Sequence, residues 1–142
     1  YIQHAWETLG FKVEVNVNPP STHRQQVSKS KLSIFRGSWI ADYADAENYL
    51  SLFYSGNHSP NGPNYTHFSN TEFDDLYEKS LRIPELVNRI PLYEKMDSIV
   101  INQAAIIPLY YDNVLRFSHK RVKGLGSNAM NLLDLERVKI IN

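Results

Sequence analysis

Three carboxylates, Asp42, Asp45 and Glu47, sit in one short polar stretch just after an apolar run that ends at Trp39. Glycoside hydrolysis needs two carboxylates flanking a bond, one protonated and one ionised, and this trio satisfies that need by residue type. Closely spaced acids in a polar loop more often stay solvated or cap the following helix. A second grouping overlaps the first. Arg36, Trp39 and Asp42 bring a cation, a broad aromatic and an anion together, a set suited to holding a polar guest. Spacing alone favours a plainer outcome, with Arg36 on the surface, Trp39 in the core and Asp42 as a cap. His4, His23, His58, His67 and His119 form no i,i+4 pair and no HExxH pattern. His58 and His67 share a loop that could approach a metal, yet two loop histidines are more often simply exposed. There is no GxSxG elbow and no Gly-rich phosphate loop; Gly124-Leu125-Gly126 reads as a turn. Cysteine is absent, which excludes disulfides, zinc–thiolate sites and thiol nucleophiles. The sequence therefore points to no metal, no cofactor and no assembled catalytic constellation.

The elements that would position these residues follow from periodicity. Ile2, Ala5, Trp6 and Leu9 recur at helical spacing and Gly10 supplies a stop. Phe11, Val13, Val15 and Val17 alternate with polar residues, predicting a strand over 11–18 that Pro19-Pro20 ends. Ser21 can cap a polar helix reaching Ser30. Residues 32–39 read as a second strand, parallel to the first through a right-handed crossover. Asp42 would then lie beyond a strand's C-terminal end, where open α/β sheets bind ligands. A short helix is expected over 47–54, and a long Gly-, Asn-, Ser- and Pro-rich surface loop over 55–70. Ser69 and Glu72 have capping-box spacing ahead of a helix carrying Phe73, Leu76, Tyr77 and Leu81. A further helix is expected over 84–104, with Leu86, Ile90, Tyr93, Met96, Ile99, Val100 and Gln103 on its periodic face and Pro91 kinking or breaking it. Residues 105–111, 114–117 and 132–141 read as strands.

The chain has 142 residues, enough for one modest domain. Fifteen basic residues balance fifteen acidic ones, which removes the electrostatic argument for nucleic acid or an anionic membrane. No apolar run is long enough to span a bilayer. The chain opens on Tyr1 within a helical pattern and reads as a piece of a longer precursor.

Residues 36–50, and in particular Trp39-Ile40-Ala41-Asp42-Tyr43-Ala44-Asp45-Ala46-Glu47-Asn48-Tyr49-Leu50, closely resemble the Trp-x-Ala-Asp-Tyr-x-Asp-x-x-Asn-[aromatic]-Leu signature of extracellular solute-binding protein family 5. The order continues through Asn64-Tyr65, Asn70, Glu72-Phe73-Asp74-Asp75-Leu76, Arg89, Leu92-Tyr93, Ala105 to Tyr111, and Val122-Lys123-Gly124. The resemblance implies an α/β fold, the C-terminal lobe of a type II periplasmic-binding-protein-like architecture with a mixed sheet flanked by helices. Residues 1–107 would form part of that lobe, and residues 108–142 a crossover segment returning to the N-terminal lobe. It implies a non-enzymatic, substrate-binding component of an ABC importer that closes over a peptide or other small solute. Such a protein is periplasmic or otherwise extracytoplasmic, with the transporter permease as partner. It meets the membrane only through that permease or a lipid anchor outside this stretch. In peptide-binding relatives the acid of Trp-x-Ala-Asp, here Asp42, pairs with the ligand's α-ammonium. Arg36 matches an arginine that can meet a peptide carboxylate, Trp39 would wall the pocket, and Tyr43 would adjoin it. Ala44 departs from the proline common at that position, leaving the turn less constrained. Two other functions fit the residues: a glycoside hydrolase using Asp42, Asp45 or Glu47, and a solute-sensing domain of a regulator.

Overall fold

The computed structural model describes residues 1–128 and 132–141. It divides into two compact units, residues 1–35 and 36–142.

In the first unit, helix α1 (Ile2–Thr8) and helix α2 (Pro20–Ser28) flank an extended stretch. Both helices end in the same way. Beyond α1, Gly10 takes φ +89°, its N–H donates to the Glu7 carbonyl and the Phe11 N–H to the Trp6 carbonyl. Beyond α2, Ser30 takes φ +52°, with Ser30 N–H on Val27 and Lys31 N–H on Gln26. This left-handed closure satisfies carbonyls that a helix end would otherwise orphan. The α2 start differs from expectation: Pro19 flanks the helix and Pro20 occupies its first turn, where a missing N–H costs nothing. Ser21 lies inside the helix.

In the second unit, α3 (Glu47–Leu50) leads into a 3₁₀ turn at Ser55–Asn57, then α4 (Thr71–Leu81) and α5 (Leu86–Asn102). The core gathers Leu50, Phe53, Phe68, Phe73, Tyr77, Tyr93, Met96 and Val100. Phe53, Phe68 and Phe73 meet edge to face, with centroids 5.6–6.4 Å apart. Asn70, not Ser69, caps α4, its Oδ1 accepting the Phe73 N–H at 2.9 Å. Helix α5 runs unbroken through Pro91. It ends two residues short of prediction on a third left-handed closure at Ala104, φ +51°, with Ala105 N–H on the Val100 carbonyl.

The stretch 55–70 is more built-in than a surface loop. Asn64 is fully buried at its centre. Its Nδ2 donates to the Tyr54 and Phe68 carbonyls at 3.0 and 2.9 Å, while its Oδ1 accepts from Thr66 Oγ1 and Phe68 N–H. Asp74 on α4 fastens the start of the stretch by accepting from Ser55 N–H and Oγ.

The expected strands over 11–18, 32–39, 105–111 and 114–117 are not formed among the described residues. A strand needs a neighbour to take its backbone N–H and C=O groups, and alternation in sequence does not supply one. Val17, Leu115 and Phe117 are accordingly exposed at 80% or more. The one ladder among the described residues is antiparallel, β1 (Val122–Lys123) against β2 (Lys139–Ile140), so the predicted tail strand shortens to two residues. Residues 129–131 and 142 of the expected crossover segment lie outside the described residues.

Candidate functional site

The signature residues occupy a turn that runs from Trp39 into α3. The Asn48 side chain, 3% exposed, lies at its centre. Asn48 Oδ1 accepts from the Trp39 indole N–H at 2.7 Å and from the Asp42 N–H at 3.2 Å. Trp39 is half-buried, whereas Asp42 and Tyr43 face solvent. Asp42 does not cap α3, which begins at Glu47. Among the described residues the Asp42 carboxylate has no hydrogen-bond partner. Arg36 is exposed and its Nη2 donates to the Tyr110 hydroxyl at 2.9 Å.

The other two acids of the trio are committed to structure. Asp45 Oδ1 accepts the Glu47 N–H and the Tyr93 hydroxyl, each at 3.0 Å, and Oδ2 pairs with Arg89 Nη1 at 2.6 Å. Arg89 Nη1 also donates to the Tyr93 oxygen at 2.8 Å, closing a ring of three side chains between the turn and α5. Glu47, buried, receives the Tyr43 hydroxyl on Oε2 and the Tyr77 hydroxyl on Oε1, tying the turn to α4. A carboxylate with both oxygens engaged by phenols, beside another locked to a guanidinium, is poorly placed for the paired acid and base of glycoside hydrolysis. Sequence reading singled out Asp45 and Glu47 as candidate acids. It passed over Arg89 and Tyr93 as partners, although their i,i+4 spacing on one helix was a usable signal.

Electrostatics follow these contacts. Burial pushes the Asp45 carboxyl up, but the Glu47 amide, the Tyr93 hydroxyl and Arg89 outweigh it and hold the group below its ordinary value of 3.8. Burial and then Asp45 push Tyr93 up to about 12. Burial followed by the bond to Glu47 raises Tyr77 strongly. The bond to Glu47 also raises Tyr43, opposed in part by the Asn48 side chain. Because folding depresses the Asp45 value, its stabilisation is fully present above the unfolded value and is lost as pH falls through the folded one. An Asp45→Asn variant should therefore be less stable at neutral pH, and its deficit should narrow below about pH 4. Circular dichroism during acid titration of both proteins checks this. A deficit that stays constant from about pH 7 to about pH 2 would remove the assigned role.

His58 and His67 do come together, as parallel rings with centroids 4.9 Å apart. His58 Nε2 meets the Phe68 carbonyl and His67 Nε2 the Ser59 hydroxyl. Among the described residues no three metal-ligating side chains converge. None of the described helices is long and apolar enough to cross a membrane.

Comparison with known proteins gives this geometry a context. The family model described as bacterial extracellular solute-binding proteins, family 5 Middle, matches residues 1–61. The chain is 29% identical over 106 residues to the dipeptide-binding protein DppE of Bacillus subtilis, covering 75% of this chain and 19% of the relative. It is 29% identical over 140 residues to the probable D,D-dipeptide-binding periplasmic protein DdpA of Escherichia coli, covering 99% of this chain and 26% of the relative. The structure of HbpA2 from Haemophilus parasuis superposes with a TM-score of 0.74 at 20% identity, covering 99% of this chain and 28% of that one. The chain thus spans between 19% and 28% of the length of these proteins. Residues 1–61 thus resemble the middle region of family 5 solute-binding proteins, and the chain as a whole is similar in sequence to DppE and DdpA and in fold to HbpA2.

Proposed function

We propose that this chain supplies one wall of the solute cleft in an extracytoplasmic receptor that delivers peptides to an ABC importer, without a chemical step. Residues 1–107 form part of the C-terminal lobe and residues 108–142 return toward the N-terminal lobe. Asp42 anchors the peptide's α-ammonium, Trp39 lines the pocket, Tyr43 adjoins it, and Arg36 is placed to meet a carboxylate.

The observation that carries this reading is the contrast among the three acids. Asp45 and Glu47 spend their oxygens on arginine and phenols, while Asp42 presents a solvent-facing carboxylate with no partner among the described residues. An ammonium docking there gains a charge-assisted hydrogen bond without displacing an existing partner. The dipeptide-binding names of DppE and DdpA lend support to peptides as the solute class.

The test is Asp42→Ala in the full-length protein, titrated calorimetrically with tri-alanine and with its N-acetylated form. Affinity for the free peptide should fall at least ten-fold, about 1.4 kcal/mol, and acetylation of the peptide should cost the wild type a similar amount. A loss below about three-fold, under 0.7 kcal/mol or so, would sink the amine-anchor assignment.

A further inference from the structure

Asp42 has a carboxylate that no side chain steers, so the backbone beneath it must set its direction. That backbone is held at one point by a side chain: the Asp42 N–H donates to Asn48 Oδ1. The same oxygen accepts the Trp39 indole N–H, which fixes the plane of the ring proposed to line the pocket. We propose that Asn48 is a positioning residue for solute capture, a single buried amide whose oxygen sets Asp42 and Trp39 in mutual register. This assignment rests on the reading of Asp42 as the solute anchor.

Three features support it. Asn48 is buried at 3% exposure, so an unmet donor or acceptor there cannot turn to water for compensation. An amide oxygen has two lone pairs, and both are used, one by each site residue. Its amide also partly offsets the rise that Glu47 imposes on the Tyr43 hydroxyl. Two of the four residues assigned to the cleft, Trp39 and Asp42, are therefore held by one side chain that itself need not touch the solute. Asn48 can hold them because α3 is fixed on two sides: through Asp45 to Arg89 and Tyr93 on α5, and through Glu47 to Tyr77 on α4.

The experiment uses the full-length protein with Asn48→Leu, which removes the acceptor at similar size, and Asn48→Asp, which keeps it. Hydrogen exchange is read at the Asp42 amide and across α4 and α5. Tri-alanine affinity is measured for Asn48→Leu in the wild-type and Asp42→Ala backgrounds. Exchange at Asp42 should quicken at least ten-fold in Asn48→Leu, while α4 and α5 keep their protection. Affinity should fall at least ten-fold in the wild-type background and less than two-fold once Asp42 is alanine. Unchanged exchange at Asp42, or an equal affinity loss in both backgrounds, would overturn the proposal, because a merely structural residue behaves additively. Should Asn48→Leu also strip protection from α4 and α5, Asn48→Asp decides. It should keep Asp42 protected and affinity within three-fold, and failure on either count overturns the assignment. An Asp42→Ala protein that binds as the wild type does would instead overturn the anchor reading, whatever exchange at Asp42 shows.

Discussion

Phe73→Ala should lower the free energy of unfolding by about 3–5 kcal/mol, the largest effect expected of any single truncation in this chain. The Phe73 side chain is wholly excluded from solvent. Its ring meets Phe68 at 5.6 Å, Phe53 at 6.4 Å and Tyr77 at 6.4 Å, so it joins α4 to the stretch before it and to the residues that follow α3. Its backbone N–H is also the one that Asn70 caps, which fixes the side chain's origin and limits how far neighbours can collapse into the space left behind. Incomplete collapse is what raises the cost of a truncation above the transfer term alone. Denaturant unfolding of the wild type, Phe73→Leu and Phe73→Ala should rank them in that order. A deficit of less than about 1 kcal/mol for alanine would mean that the cluster is far more plastic than its packing indicates.

The second large effect is at Asn64. Asn64→Ala removes two donors and one acceptor from a site without solvent access, leaving the Tyr54 carbonyl with only the Asn57 N–H and the Phe68 carbonyl with only His58 Nε2, for a cost of about 3 kcal/mol. Asn64→Asp sharpens the test. It keeps the shape but turns a carboxylate oxygen toward two carbonyl oxygens, so it should destabilise at least as much as alanine despite being nearly isosteric. Thermal unfolding of the three proteins separates these outcomes. An aspartate variant close to wild type would show that the Nδ2 donors are not what holds residues 54–68 together.

The sequence disclosed the helices of this chain better than anything else, and the reason is local. Periodicity over α4 and α5 lies within a few turns, as does the Gly10 stop, so each is legible without knowing what packs where. The same left-handed closure at Ser30 and Ala104 was not legible, because neither residue carries the glycine that normally signals it. The α4 cap was ambiguous between Ser69 and Asn70, two adjacent residues that both favour the role. Strands failed for the opposite reason. Alternation at Phe11, Val13, Val15 and Val17 reports a face with a preferred side and says nothing about which backbone will pair with it. At the site, family resemblance named Asp42, Trp39, Tyr43 and Arg36, but spacing could not show what holds them. Asn48 lies nine positions from Trp39. Glu47 lies thirty positions from Tyr77. Such meetings exist only after the chain has folded back on itself.

The two phenol contacts of Glu47 also bear on timing. They bind the turn to the helical framework, so under the proposed function little freedom there would be surrendered at capture. A cleft wall of that kind would discriminate among guests chiefly through how long each one stays, with arrival rates differing much less.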